Sequence, residues 1–187
     1  MNRDSERIFD EYLVAADVAG DRPALERLVA RWQPRLLRHA WRVLGDGERA
    51  RDMVQESWVE IMRGLARLDD VAAFPAWSYR IVTRRCQRAF HRQSREPFDV
   101  LEDDSPQEPA APEHASAEFA TELAIVRHAI AALPPLQRAT LGLFYLEGMG
   151  VAEIAIALDV PPGTVKTRLM HARRKVRARL ETGNEQD

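Results

Sequence analysis

Residues 163–180 read GTVKTRLMHARRKVRARL and hold seven Lys or Arg with no acid. Side chains of these types bind phosphates and the hydrogen-bonding edges of bases. At about 100° per residue, Val165, Leu169, Ala172, Val176 and Leu180 fall on one narrow stripe, which predicts an amphipathic helix. The opposite side presents Lys166, Thr167, Met170, His171 and Arg174, a mixture of charge, hydroxyl, thioether and imidazole. Arg173 and Arg177 lie to one side, better disposed toward a backbone than toward bases. A solvated face is usually laced with acids, and this one has none. A wet basic helix carries the same residues, so the segment in front of it must decide.

That segment is VAEIAIALDVPPGTV. Ile154, Ala155 and Leu158 make the apolar face of a short helix. Asp159-Val160-Pro161-Pro162-Gly163 then breaks the chain sharply, and a proline at the next helix start supplies a preset φ without losing a needed N–H. Ala155 is small where two crossing helices must approach closely. A short helix, a tight turn and a basic second helix form the helix-turn-helix pattern, whose second helix enters the major groove.

A second group of cations sits in FPAWSYRIVTRRCQRAFHRQSR, where residues 76–95 contain six Arg and no acid. Arg80, Arg84, Arg88 and Arg92 recur every fourth residue and so share one side, while Trp77, Ile81, Val82 and Phe90 face largely elsewhere. Spaced arginines beside aromatic rings suit phosphates and unstacked bases. Trp77 fits either base stacking or core packing. Trp32, Trp41 and Trp58 are expected in the core.

Helices must carry these groups. PALERLVARWQPRLLRHAWRVLG places Leu25, Leu28, Val29, Trp32, Leu36, Ala40 and Val43 at helical spacing, interrupted by Pro34 and ended by Gly45. ERARDMVQESWVEIMRGLARL repeats the pattern with Val54, Trp58, Ile61, Leu65 and Leu68, and shows Asp52, Gln55, Glu56 and Glu60 on its other face. The expected fold class is all-α.

Composition narrows the function. The chain has 187 residues, 45% of them hydrophobic, enough for one or two helical domains. No apolar run approaches the roughly 20 residues that span a bilayer, and MNRDSERIFDEYL is polar and acidic, unlike a secretory leader. The single Cys86 excludes an internal disulfide and suits a reducing cytoplasm. The five His are scattered without ligand spacing, so no metal site is expected. There is no GxGxxG, phosphate-binding loop, HExxH or GxSxG, so neither a cofactor nor an enzyme is expected.

The net charge of −2 conceals a partition. Residues 1–93 carry 17 Arg against 14 acids, a balance of +3. Residues 94–118 carry one Arg against eight acids, a balance of −7, and residues 119–187 carry nine Lys or Arg against seven acids, a balance of +2. Two basic modules are thus expected on either side of an acidic, proline-rich linker, SREPFDVLEDDSPQEPAAPEHASAE, too poor in apolar residues to order itself. It is either a plain tether or an acidic strap that screens the basic faces.

Taken together the pieces resemble a sigma factor of the sigma-70 family, of the extracytoplasmic-function (group 4) kind. GDGERARDMVQESWVEIMRGL is similar to the region 2.2 helix that docks on the β′ clamp helices of RNA polymerase. FPAWSYRIVTRR is similar to the region 2.3–2.4 segment that melts and reads the −10 element. ALPPLQRATLGLFYLEGMGVAEIAIALDVPPGTVKTRLMHARRKVRARL is similar to region 4, which reads the −35 element. Three positions depart from the family's common pattern: Arg84 and Arg88 stand where an Asn and a later polar residue are frequent, and His171 where Arg is common.

The resemblance implies region 2 over residues 1–93, a linker over 94–118 and region 4 over 119–187. It implies a core-polymerase surface at Asp52, Val54, Gln55, Glu56, Trp58 and Glu60. The −10 contacts would come from Trp77, Arg80, Arg84, Arg85, Arg88 and Arg92, and the −35 contacts from Thr164, Lys166, Thr167, Arg168, Met170, His171 and Arg174. The implied partners are core RNA polymerase through its β′ clamp helices and β flap, promoter DNA and an anti-sigma factor, with no membrane insertion. Two other readings fit part of the chain. A response-regulator-type activator would share the helix-turn-helix but needs an alternating β/α receiver, and a sigma-like decoy should have lost the basic reading face.

Overall fold

The computed structural model describes residues 3–93 and 117–183, and among them every regular element is helical. Eight α-helices follow in order: α1 Arg3–Val18, α2 Arg22–Leu44, α3 Gly47–Leu65, α4 Phe74–Gln93, α5 Ala117–Ala131, α6 Pro135–Tyr145, α7 Val151–Leu158 and α8 Pro162–Gly183, with one 3-10 turn at Val71–Ala73 before α4. No strand occurs among the described residues, so there is no β/α receiver there. The acidic linker, apart from its last two residues, lies outside the described residues.

Helices α2, α3 and α4 form the first module as the apolar spacing requires. Leu28, Trp32, Leu36, Ala40 and Val43 of α2 are buried against Val54, Trp58, Ile61 and Leu65 of α3 and Phe74, Tyr79 and Val82 of α4 in one core. Helix α2 runs through Pro34 unbroken, with buried side chains on both sides of it; packing outweighs the backbone bond that proline cannot donate. Gly45 ends the helix at φ 75°, the left-handed cap that glycine adopts without steric cost, and its N–H reaches the Trp41 carbonyl at 2.7 Å. Asp46 then caps α3 by accepting from the Arg49 N–H at 3.1 Å.

Helix α1 is an element the apolar spacing of the other segments did not announce. It buries Leu13 and Val14 completely and inserts the Asp10 carboxylate between Arg31, at 2.8 Å, and Arg35, at 3.4 Å. Its signal was the apolar set Leu13, Val14 and Ala16 within an otherwise acidic stretch.

The second module packs α6, α7 and α8 with α5 alongside; Leu133, Leu141 and Ala172 form a small core of their own, with Ile130 and Val176 against it. The two modules do not stand apart. Ile154, Ala155 and Leu158 of α7 belong to the same buried cluster as the α2–α4 core, and α4 packs against α7.

Two features of this interior are open to measurement. A Cβ on Gly64 would sit 2.6 Å from the Trp77 ring, so Gly64→Ala should cost about 1–3 kcal/mol by overpacking. Gly163, with nothing within 4 Å of its missing Cβ, should tolerate Ala or gain up to about 1 kcal/mol. Urea midpoints of both variants decide this, and equal stability of the two would contradict the close approach of α3 and α4.

His39 is wholly buried, with Nε2 2.8 Å from Thr83 Oγ1. Burial, and then the Arg42 charge, pull its pKa down from 6.5 to about 3. The unfolded chain therefore takes up this proton before the folded one does. The His39 contribution is complete above pH ~6.5 and is lost at up to about 1.4 kcal/mol per pH unit as pH falls toward the folded value. His39→Gln should flatten that slope in urea melts between pH 7 and pH 5, and a slope identical to the parent's would refute it.

Candidate nucleic-acid interface

Helix α8 carries the first set of sequence-predicted residues. Val165, Leu169 and Ala172 are buried, which turns the other side of the helix to solvent. Lys166, Thr167, Met170 and Arg174 are exposed, while Thr164, Arg168 and His171 are half-buried along the edges. The Thr167 hydroxyl donates to the Gly163 carbonyl at 3.0 Å, which aims its methyl and lone pairs outward from the first turns. Arg174 approaches His171 Nδ1 at 3.4 Å. Partial burial lowers the pKa of Arg168, and its Nη1 has no partner among the described residues. Seven candidates therefore share one helix, with four on the open face and three on its flanks.

Arg173 does not serve as a free backbone cation. Its Nε donates to the Tyr145 hydroxyl at 2.8 Å and its guanidinium lies over the Phe144 and Tyr145 rings. It lies about 80° from the buried Val165 stripe, on the side that faces α6. Arg177 is exposed.

Between α7 and α8 the chain turns at Asp159, the one non-glycine residue with positive φ (55°) among those described. Left-handed backbone is tolerated by Asp and Asn better than by most residues. Ala155 is buried in the shared core.

Helix α4 does not present its candidates alike. Arg80 and Arg84 point together toward α7, where Asp159 accepts from them at 3.0 and 3.2 Å. Arg88 is exposed one turn further on. Arg92 lies in the last turns of α4 with its side chain outside the described residues. Arg85, assigned to the −10 set, lies 100° around the helix from Arg84 and reaches back to α3, bridging Glu56 at 2.6 Å and Glu60 at 3.0 Å. Trp77 is half-buried against Gly64 and Phe74 and so chiefly braces α3 on α4.

The exposed side of α3 shows Asp52, Gln55, Glu56 and Glu60 in the open. Val54 and Trp58, assigned to the same surface, are instead in the core, with Trp58 Nε1 donating to Gln33 at 2.5 Å. Their apolar period had already put them opposite the acids, so they support the surface from beneath. Val59 and Met62 were not singled out, yet they stand 42% and 45% exposed among those acids. Their signal was apolar side chains on the polar side of an otherwise regular amphipathic helix.

An apolar groove of about 750 Å³ runs along the second module beside Ile130, Leu141, Leu146, Val176 and Leu180, with Arg173, Arg174 and Arg177 on its rim. Among the described residues no three His, Cys, Asp or Glu side chains gather as metal ligands, and no helix is long and apolar enough to cross a membrane.

Comparison with known proteins falls on the same two modules. The family described as Sigma-70 region 2 matches residues 28–96, and Sigma-70, region 4 matches residues 123–176. The ECF RNA polymerase sigma factor SigM of Mycobacterium tuberculosis H37Rv is 36% identical over 171 residues, covering 91% of this chain and 84% of that protein. The ECF RNA polymerase sigma-E factor of Escherichia coli K12 is 31% identical over 183 residues, covering 92% and 94%. Among solved structures, CnrH in complex with the cytosolic domain of CnrY superposes with a TM-score of 0.62 at 25% identity, over 93% of this chain and 98% of that one. The sigma factor RpoE of Bartonella quintana, in complex with the anti-sigma factor NepR, does so at 0.69 over 84% and 96%, and at 19% identity the likeness is one of fold.

Proposed function

Since the chain belongs to the sigma-70 family, as a sigma factor of the extracytoplasmic-function kind that directs core RNA polymerase to promoters and initiates transcription, we propose that α3 docks on the polymerase, α4 holds the melted −10 strand and α8 reads the −35 duplex. The observation that carries this is the solvent-facing side of α8, acid-free from Lys166 to Arg179 and set behind the short α7 and the Asp159 turn.

Residues 1–93 act as region 2, 94–118 as the linker and 119–187 as region 4. Asp52, Gln55, Glu56 and Glu60, with Val59 and Met62 among them, meet the β′ clamp helices, a charged rim around a small apolar centre. Arg80, Arg84, Arg88 and Arg92 grip phosphates of the non-template strand, and the exposed edge of Trp77 borders the path of its bases. Unstacking a base costs a few kcal/mol, which such contacts offset. Lys166 and Thr167 lie in the first turns of α8, where recognition helices touch base edges. Met170 and Arg174 extend that face, and Thr164, Arg168 and His171 flank it near the phosphates. The apolar groove beside α6 and α8 receives the β flap. A protein of this kind contributes recognition and no covalent chemistry, and it works in the cytoplasm alongside the polymerase. Of two solved structures similar in fold, one holds the anti-sigma factor NepR and the other the cytosolic domain of CnrY, and a comparable anti-sigma partner is proposed here.

Run-off transcription from promoter templates tests the reading: the purified chain should support initiation only with core polymerase, and inactivity of the complete mixture would overturn it. For the docking face, Asp52→Arg with Glu56→Arg should abolish core binding at unchanged helicity. Asp52→Arg alone, which leaves the Glu56–Arg85 pair intact, should weaken it clearly. Undiminished core affinity in pull-downs of both would remove α3 from the interface.

On α8 the two kinds of contact should separate. Lys166→Ala should lose about 1–3 kcal/mol on the selected −35 sequence and much less on a scrambled duplex. Arg177→Ala should weaken both alike and lower the salt slope by about one unit. Affinities of the holoenzyme at two salt concentrations measure this. Equal losses for Lys166→Ala on both duplexes would mean that α8 grips without reading.

A further inference from the structure

Between residues 123 and 180 the sequence holds only three acids, Glu147, Glu153 and Asp159. All three face the first module. Glu147 accepts from Arg35 at 2.7 Å, Glu153 from Arg7 at 2.6 Å, and Asp159 from Arg80 at 3.0 Å and from Arg84 at 3.2 Å. Each of these pairs runs from a first-module arginine to a second-module acid, so the charge on the contact is one-sided. Arg80 and Arg84 are also the arginines read above as holders of the −10 strand, an inference that rests on that reading.

We propose that this acidic edge is a built-in phosphate mimic: in the free chain Glu147, Glu153 and Asp159 occupy the arginines of the first module, and the −10 strand must displace Asp159 to reach Arg80 and Arg84. The two oxygens of one carboxylate take one arginine each, as a backbone phosphate would. The Arg80 and Arg84 side chains are 39% and 50% exposed. Such pairs are weak and screened by salt, so a polyanion can exchange for them. The half-buried Glu147–Arg35 pair and the shared α4–α7 core hold the two modules in register, which keeps Asp159 at a high effective concentration beside its arginines. The α8 reading face is not covered by this contact: Lys166, Thr167, Met170 and Arg174 remain exposed. The closed chain thus offers its −35 face while its −10 face is occupied.

The test uses the free full-length chain and isosteric neutralisation, Glu147→Gln, Glu153→Gln and Asp159→Asn together. Asn keeps the left-handed turn, and Gln at 153 can still accept the 2.6 Å bond from the Gly150 N–H. The comparison is a charge-matched variant, Glu26→Gln, Glu48→Gln and Asp69→Asn, which neutralises exposed acids away from the contact. The probe is a fluorescent single-stranded oligonucleotide of mixed sequence, read by anisotropy at low salt. The contact variant should bind about three- to tenfold more tightly than the charge-matched one. Arg84→Ala should then cost more affinity in the contact variant than in the parent, because only there is Arg84 available. Equal affinity of the two triple variants, or an equal cost of Arg84→Ala in both backgrounds, overturns the proposal. If the triple variant fails to fold, Asp159→Asn against Asp69→Asn carries the same comparison. Run-off transcription by the parent with core polymerase is scored separately, so a failed sigma reading and a failed mimic give different results.

Discussion

Helix α7 has eight residues, too few to persist in water, where isolated helices below about 12–15 residues are marginal. It exists because Ile154, Ala155, Ala157 and Leu158 are buried. One side of it meets α8 and fixes the angle at which the basic helix projects; another meets α4 and joins the two modules. The Asp159 turn follows directly, and its carboxylate lies where it does because α7 is pressed on α4. The orientation of the reading helix, the contact between modules and the occupancy of Arg80 and Arg84 all depend on burying one short apolar helix.

Around that contact the charges are arranged by depth. At the surface, Arg7–Glu153 and the Asp159 pairs are half-exposed, contribute little to stability and exchange readily. Deeper, Arg35 spans Asp10 and Glu147, lies over the Trp32 ring at 4.4 Å and neighbours the buried Tyr79 phenol. Burial pushes Tyr79 well above its usual pKa, with the nearby Glu147 carboxylate adding to the effect. A half-buried guanidinium between two nearly buried carboxylates is costly to break one partner at a time. It therefore specifies how α1, α2 and the α6–α7 turn meet, more than it adds to their stability.

The sites divide between side chains that hold and side chains that are offered. Val54, Trp58, Trp77, Arg85 and Arg173 hold: they are buried, braced or paired within the fold. Asp52, Gln55, Val59, Met62, Lys166, Thr167 and Met170 are offered to solvent. Chemistry alone does not separate the classes, since Arg85 and Arg88 are the same residue three positions apart on one helix.

The sequence alone determined the all-helical class, the basic reading helix with its turn, and the apolar sides of α2, α3 and α8. These follow from a 3.6-residue period and from proline and glycine at helix ends, which are properties of local covalent geometry. It did not disclose α1, whose few core side chains sit in an acidic stretch, nor Val59 and Met62 as surface residues. Whether Arg80 and Arg84 are free or paired depends on Asp159, 79 and 75 positions away along the chain. That partner is set by the packing of α7 on α4. Periodicity states which side of a helix is apolar; only the tertiary fold decides which helix covers it, and so which charges on its rim meet.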